Sequence, residues 1–413
     1  LRLFLGLDFG TTGARACVIE ASGAICHEAA HAYPDPAAQQ PADWLNALHA
    51  LFAGLPDRLR SRLDALAIDA TSGTVLLCDD ALEPVGPALL YHQAGDARAL
   101  PPGVQAPALA RLLRLAALPG AARARHALHQ ADWLAARLTG IVGVSDYHNA
   151  LKTGYDVHAL CWPDWVTQLP IAPLLPEVRT PGMTLGRVSR HWARYFNLAA
   201  DCRVRLGTTD SIAAFMAAGV SAPGEAVTSL GSTLVLKLLS NRPVEDAGSG
   251  VYRHRYGYYW LAGGASNAGG VVLRQFFSDA RLAELSARID PQTDSALDYL
   301  PLPGIGERFP VLDPALPPRL TPRPDDDAVF LHGMLEGLAR IEARGYARLT
   351  ELGADPLQRV VTAGGGAANP VWTALRGRLL GVPVVRANRG EAAWGAAWLA
   401  REAGLPGRVC PQA

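Results

Sequence analysis

A carboxylate closes an apolar run, and a small hydroxyl-bearing turn follows it: Leu5-Gly6-Leu7-Asp8-Phe9-Gly10-Thr11-Thr12-Gly13. A turn of this make-up bares backbone N–H groups and hydroxyls that suit phosphate oxygens. Asp8 beside it suits a magnesium ion reached through water. The chemistry implied is the handling of a nucleotide's phosphates. The same residues also suit a plain β-hairpin whose glycines serve the turn and whose aspartate caps it. Gly207-Thr208-Thr209-Asp210-Ser211 places a second carboxylate where a helix begins. The ordinary role there is an N-cap; the chemical role is a general base that takes the proton of an attacking hydroxyl in phosphoryl transfer. Thr71-Ser72-Gly73-Thr74 sets small hydroxyls on a turn, suited to a polyhydroxy substrate or simply to closing a hairpin. Gly364-Gly365-Gly366-Ala367-Ala368-Asn369-Pro370-Val371-Trp372 lets a flat ring or a phosphate come close to the backbone. A helix N-terminus lies behind it, with Asn369 as cap and Pro370 in the first turn. A tight strand-to-helix turn would have the same composition.

These residues need elements to hold them. Residues 1–20 read as strand, turn, strand. Residues 65–70 and 75–78 read as buried strands, and 107–118 and 131–138 carry helical apolar spacing. Arg203 to Leu206 leads into the Asp210 turn, and a helix of small residues follows over 211–219. Residues 226–240 repeat the pattern of the N-terminus, a strand, a Gly231-Ser232-Thr233 turn and another strand. Two such hairpins about 220 residues apart, facing one another across a cleft, would hold a polyphosphate between two domains. The boundary is placed near residue 218, at Gly219 to Gly224. The second half then predicts strands around 251–262, a Pro-rich surface segment over 301–323 and a long amphipathic helix over 328–351. A strand at 360–363, a helix from Asn369 and a closing helix over 392–403 complete it.

Bulk properties set limits. With 413 residues the chain exceeds one ordinary core and fits two domains. Hydrophobic residues at 49% and charged residues at 18% describe a globular chain. Zero formal net charge and the lack of a basic block argue against a nucleic-acid partner. No apolar run approaches ~18 residues, so no membrane span is expected, and the N-terminus enters a strand pattern without a leader. The cysteines Cys17, Cys26, Cys78, Cys161, Cys202 and Cys410 form no CxxC pair, which suits a reducing, cytoplasmic setting and argues against a structural zinc site. Only Lys152 and Lys237 are lysines among 38 basic residues, a bias fitting a GC-rich genome.

Taken in order, Asp8-Phe9-Gly10-Thr11-Thr12-Gly13, Gly207-Thr208-Thr209-Asp210, Leu230-Gly231-Ser232-Thr233 and Ala363-Gly364-Gly365-Gly366-Ala367-Ala368-Asn369 resemble the motifs of the FGGY carbohydrate kinases. The resemblance covers essentially the whole chain and includes Ala131-Asp132-Trp133-Leu134, Leu335-Glu336-Gly337-Leu338-Ala339 and Glu391-Ala392-Ala393-Trp394-Gly395. It implies an α/β fold of two actin-like ATPase (ribonuclease H-like) domains with a cleft between them. Residues 1–217, joined by a C-terminal helix over 392–413, would bind the sugar and hold the base; 218–391 would bind the nucleotide. Segments 71–79, 145–152 and 208–215 look closest to a short bacterial and plant branch acting on D-ribulose, often labelled xylulose-kinase-like.

The resemblance also implies roles. Asp8 would position Mg²⁺ and ATP and touch the sugar. Thr11, Thr12 and Gly13 would line the γ-phosphate and sugar end, and Ser72 would bond a sugar hydroxyl. Asp210 would be the catalytic base. Gly231, Ser232 and Thr233 would meet the nucleotide phosphates, while Gly365, Gly366, Asn369 and Trp372 would shape the adenine pocket, Trp372 offering an apolar face. The expected reaction is transfer of the ATP γ-phosphoryl group to a primary hydroxyl of a ketopentose, most directly D-ribulose, with D-xylulose or a pentitol as alternatives. A non-kinase ATPase of the same superfamily is the remaining one. A monomer or simple homo-oligomer is expected. Two departures stand out: the chain is shorter than most members, and Tyr91-His92-Gln93-Ala94-Gly95-Asp96 lacks the Trp-x-Asp-Arg pattern found near the substrate in many members.

Overall fold

The computed structural model describes residues 2–405, so the end of the segment expected over 392–413, and Cys410 with it, lies outside the described residues. The chain divides into two compact units. One runs up to Ala217 and resumes from Glu391; the other is Ala218–Gly390. Each is built on a six-stranded mixed sheet.

In the first unit the sheet holds β1 (Leu3–Phe9), β2 (Gly13–Glu20), β3 (Ile25–Ala32), β4 (Leu63–Ala70), β5 (Thr184–Arg187) and β6 (Arg203–Thr209), in the order β3-β2-β1-β4-β6-β5. β1, β2 and β3 form an antiparallel meander, and β4 and β6 add in parallel beside β1. Side chains alternate across a strand. Leu3, Leu5, Leu7 and Phe9 therefore enter one core, with Trp44, Leu48, Phe52, Leu66 and Ile68. Phe4, Cys17, Ile19, Ala65 and Ala67 face the other way, against Ala393, Trp394, Ala397 and Ala400 of the helix Ala392–Glu402. That helix lies very close. A Cβ on Gly6 would fall 1.8 Å from the Ala393 carbonyl oxygen, and one on Gly395 would fall 1.9 Å from that of Ala213. Asp8, two residues after Gly6, belongs to this helix-covered face.

The second unit repeats the scheme with β7 (Glu225–Leu230), β8 (Leu234–Ser240), β9 (Tyr252–Tyr256), β10 (Tyr259–Ser266), β11 (Arg359–Ala363) and β12 (Val384–Arg386), in the order β9-β10-β8-β7-β11-β12. β7 and β8 form the central hairpin, β10 extends it antiparallel, and β11 adds in parallel on the far side of β7. The central hairpins of the two sheets are the segments whose turns share the Gly-Ser/Thr-Thr composition. The helix Asp327–Glu351 buries Phe330, Leu331, Met334, Leu338 and Leu349 in this unit's core.

The triple-glycine segment forms a single 3₁₀ turn, Gly365–Ala368, rather than an open loop. Only Gly364 takes a positive φ, 84°, and a Cβ there would lie 2.6 Å from the Leu230 carbonyl oxygen. The turn is thus pressed onto the end of β7.

Candidate functional site

In the first unit, strand register brings the acidic residues together. Asp8 on β1 pairs with Asp69 on β4, and Asp69 pairs with Thr208 on β6. All three sit at the carboxyl ends of parallel strands, where open α/β sheets place their ligands. Asp210 follows directly, as the first residue of the helix Asp210–Ala217, and its Oδ1 accepts the Ser211 amide at 2.7 Å. Asp8 is 4% exposed and Asp69 fully buried. Burial lifts the Asp8 carboxyl to about 6; the contact with Asp69 and the charge of Arg15 oppose the rise, and Asp210 and Glu391 add to it. Burial first, then the charges of Asp8 and Asp210, push Asp69 well above the usual carboxylate range. Both Asp69 carboxyl oxygens are buried without a hydrogen-bond partner among the described residues, which favours its protonated form.

The Thr11–Thr12 turn is exposed and fixed from behind. Gln39 Nε2 donates to the Thr11 carbonyl at 2.6 Å, and the Tyr33 amide donates to that of Thr12 at 3.1 Å. Gly13 admits no side chain, since a Cβ would fall 2.4 Å from the His31 carbonyl oxygen.

The Thr71–Thr74 turn is held more firmly than its composition suggests. The two threonine hydroxyls bond at 2.7 Å, Thr71 donates to Gln130 Oε1 at 3.1 Å, and Thr74 accepts the Tyr91 amide at 3.1 Å. Arg111 donates to the carbonyls of Gly73, Tyr91 and Gln93. The segment around Tyr91 and Gln93 is therefore clamped to the Thr71–Thr74 turn by a buried guanidinium. Ser72 Oγ is buried without a partner, as are Asp8 Oδ1, Tyr33 OH and Gln130 Nε2. Buried polar atoms are nearly always hydrogen-bonded, so these atoms, without a partner among the described residues, stand out in the first unit.

Sequence reading missed Asp69, Arg111, Gln130 and Tyr33. Arg111 left a signal, as a charge inside the apolar stripe Ala108-Leu112-Leu115 of its helix. Asp69 left one too, as a carboxylate ending a buried parallel strand.

In the second unit a cavity of about 690 Å³ opens at the ends of β7 and β11. That volume lies in the range of small-molecule sites. Gly231, Ser232, Gly365, Gly366, Asn369 and Trp372 lie on its wall, and Leu273, Leu282 and Ala287 supply apolar surface. Thr233 is not on the wall; its carbonyl accepts the Gly231 amide at 3.1 Å and closes the turn. Asn369 caps the helix Pro370–Leu380, accepting the Trp372 amide at 3.0 Å and donating to Ser286 Oγ at 2.8 Å. Trp372 is 3% exposed, with its indole N–H buried and unpartnered. A Cβ on Gly366 would sit 2.8 Å from the Trp372 ring, so glycine there lets the ring reach the cavity wall.

Behind that helix lies a buried polar network. Arg376 donates to Glu342 through two bonds, at 2.6 and 2.7 Å, and to Thr362 at 2.7 Å. Thr228 donates to Glu342 at 2.6 Å and bonds the Tyr346 hydroxyl at 2.7 Å. It ties β7 and β11 to two helices directly beneath the cavity. Among the described residues no group of three or more His, Cys, Asp or Glu side chains is arranged to hold a metal ion, and no helix is long and apolar enough to cross a membrane.

Comparison with known proteins places these features. Residues 226–403 match the C-terminal domain of the FGGY family of carbohydrate kinases. A curated relative, an autoinducer-2 kinase of Yersinia enterocolitica, is 28% identical over 278 residues, which is 61% of this chain and 52% of that protein. The chain thus spans about half the length of the curated relative it matches. Among solved structures, a xyloylose kinase from Brucella ovis aligns over 98% of this chain and 91% of its own, at 24% identity and a TM-score of 0.84. A xylulose kinase from Rhodospirillum rubrum gives 22% identity and a TM-score of 0.82 over 97% and 89%. Plasmodium falciparum glycerol kinase, solved with ADP, gives 15% identity and 0.80 over 98% and 90%. At these identities the structures establish the fold, two α/β units of the actin-like ATPase type. Residues 226–403 thus match the C-terminal domain of the FGGY family of carbohydrate kinases, and the rest of the chain shares the fold of the solved sugar kinases.

Proposed function

We propose that this chain is an ATP-dependent sugar kinase that transfers the γ-phosphoryl group to a primary hydroxyl of a ketopentose, with D-ribulose the first candidate. The observation that carries the reading is the set of buried polar atoms without a partner among the described residues on Asp8, Ser72 and Gln130, with Asp210 near enough to act on the Asp8 charge. Hydroxyl-rich ligands satisfy such groups and apolar ones do not. Each unit supplies one part: the first an acceptor site with a carboxylate base, the second a cavity with glycine turns and an apolar wall suited to a nucleotide.

In the reaction, Asp210 accepts the proton of the attacking hydroxyl. The new bond forms between that oxygen and the γ-phosphorus, and the bond to the bridging oxygen breaks, releasing ADP. Positioning and electrostatics supply most of the acceleration. Asp8 would hold a magnesium ion mainly through water, since its buried Oδ1 has no hydrogen-bond partner among the described residues. When bound, that ion would neutralise phosphate charge. Thr11, Thr12 and Gly13 would line the phosphate end of the acceptor site, and Gly231 and Ser232 the phosphates in the second unit. Gly365, Gly366, Asn369 and Trp372 would shape the base pocket. The kinases of autoinducer-2, xylulose and glycerol among the similar proteins support a small polyhydroxy acceptor.

The test is ATP consumption with Mg²⁺ against ketopentoses, pentitols and glycerol, with the phosphorylated product identified. Selective turnover of D-ribulose is expected. The variant Asp210→Ala should lose sugar phosphorylation and keep nucleotide binding; undiminished turnover would remove Asp210 as the base. Preference for D-xylulose or a pentitol would move the substrate and keep the mechanism. Sugar-independent hydrolysis throughout would point to a non-kinase ATPase.

A further inference from the structure

Lys152 is one of only two lysines among 38 basic residues, and neither the fold nor the roles above use it. It ends the helix Tyr147–Leu151, and that helix is mounted with unusual care. Asp146 accepts the amides of His148 and Asn149 at 2.8 and 3.1 Å and the Asn149 side chain at 2.6 Å. His148 Nδ1 and Thr208 Oγ1 lie 2.7 Å apart, which ties the helix to β6 two residues before Asp210. Thr153, the next residue, bonds His129 Nε2 at 2.8 Å. The Lys152 carbonyl accepts the Ala108 amide at 2.9 Å. Asp146, His148, Asn149, Thr153 and His129 are all buried. Burying so many polar groups is costly unless each is paired, and the arrangement fixes the backbone on both sides of Lys152.

The side chain so placed is half-buried, and its charge acts on that of Asp210. Burial draws its ammonium below the ordinary lysine value while Asp210 opposes the shift. Among the described residues no carboxylate lies within 4.0 Å of the ammonium and no acceptor takes a hydrogen bond from it. Three donors therefore stand unused beside the base. A lysine suits this place because its ammonium is a compact charge with freely rotating donors, where arginine would bring a wide planar fork.

Resting on the sugar-kinase reading above, we propose that Lys152 binds the acceptor: its ammonium donates to a sugar oxygen next to the hydroxyl that Asp210 deprotonates. Lys152 and Asp210 then hold the reacting end of the sugar between a donor and a proton acceptor, and the lysine selects acceptors that carry an oxygen at that neighbouring position.

The experiment uses the full chain. Steady-state kinetics of Lys152→Met with the best sugar should show its KM raised about tenfold or more, the loss of a charge-assisted hydrogen bond, with the KM for ATP within about twofold of wild type. Isotope-coded reductive methylation read by mass spectrometry supplies the second measurement. Lys237, buried on β8, serves as the internal control. Saturating sugar should slow labelling of Lys152 several-fold and leave Lys237 unchanged, whereas ADP alone should protect neither. An unchanged sugar KM, a fall in kcat alone, or protection by ADP equal to that by sugar would each overturn the assignment while leaving the kinase reading intact. If the wild-type chain phosphorylates no sugar in the panel, the kinase reading fails and this assignment falls with it.

Discussion

The Glu342–Arg376 pair offers a test of how the second unit holds its cavity. Arg376 is fully buried and Glu342 is 1% exposed, and the guanidinium meets the carboxylate through two short bonds. Arg376→Met would strand the Glu342 carboxylate in the core, with the Thr228 hydroxyl as its remaining donor from this network. Breaking a buried pair from one side costs about 3–5 kcal/mol, because the surviving charge keeps its desolvation penalty and loses its counter-charge. Glu342→Leu should cost a similar amount by stranding the guanidinium, with Thr362 left to receive one bond. The double variant Arg376→Met, Glu342→Leu removes both charges. Thr228 keeps its Tyr346 partner while Thr362 loses its own, so the double variant should lie within about 2 kcal/mol of wild type. The two changes are therefore expected to couple by at least ~3 kcal/mol.

Urea unfolding would be followed by fluorescence of a bound nucleotide analogue, so that the transition of this unit is read by itself. Arg376 lies one turn beyond Trp372 on the helix that Asn369 caps, so nucleotide affinity should fall in the single variants and return in the double. Additive single costs, or a loss under about 1 kcal/mol in Arg376→Met, would refute the claim that this pair is a tightly coupled core element beneath the cavity.

Gly366→Ala should raise the nucleotide KM about tenfold or more, since its Cβ would press on both Trp372 and Leu230, whereas Gly365→Ala, with open space around the added carbon, should leave folding unchanged; equal behaviour of the two variants in melting and nucleotide titration would contradict this. Ser72→Ala removes a buried hydroxyl that has no protein partner, so thermal stability should hold or rise while the sugar KM increases by about tenfold, the value of one hydrogen bond of ~1.4 kcal/mol; a lowered melting temperature would show the hydroxyl to be structural. Burial, with the charge of Arg111 adding, pulls His129 down to about 3, so its native form stays neutral and its contribution to stability is present above the ordinary value of 6.5 and lost as pH falls below it. The stability difference between wild type and His129→Gln should accordingly move against wild type by about 2 kcal/mol between pH 7 and pH 5, and a pH-independent difference in urea midpoints would show the imidazole to be protonated in the native state.

What could be read in the sequence follows from where the information is local. The hairpin turns, the helix cap at Asn369 and the strand runs before Asp8, Asp210 and Gly364 are each decided within a few residues, by alternation, capping chemistry and backbone freedom. The motifs carrying those signals are the ones the fold sets at strand ends. Thr233 shows the limit of such reading: its composition fits phosphate binding as well as its two neighbours, yet the structure uses its carbonyl to close the turn. Asp69 and Arg111 escaped for another reason. A carboxylate at the end of a buried strand acquires meaning only once register sets it beside Asp8. A lone arginine in an apolar stripe acquires meaning only once the Gly73, Tyr91 and Gln93 carbonyls converge on it. Those contacts join residues 18 to 61 positions apart in the chain. Propensity and spacing carry nothing over such distances, whereas burial and pairing rules do, because an unpaired charge in a core must find its partner somewhere. The Lys152 ammonium and the buried hydroxyl of Ser72 invite the same logic one step further, since the described residues supply neither with a hydrogen-bond partner.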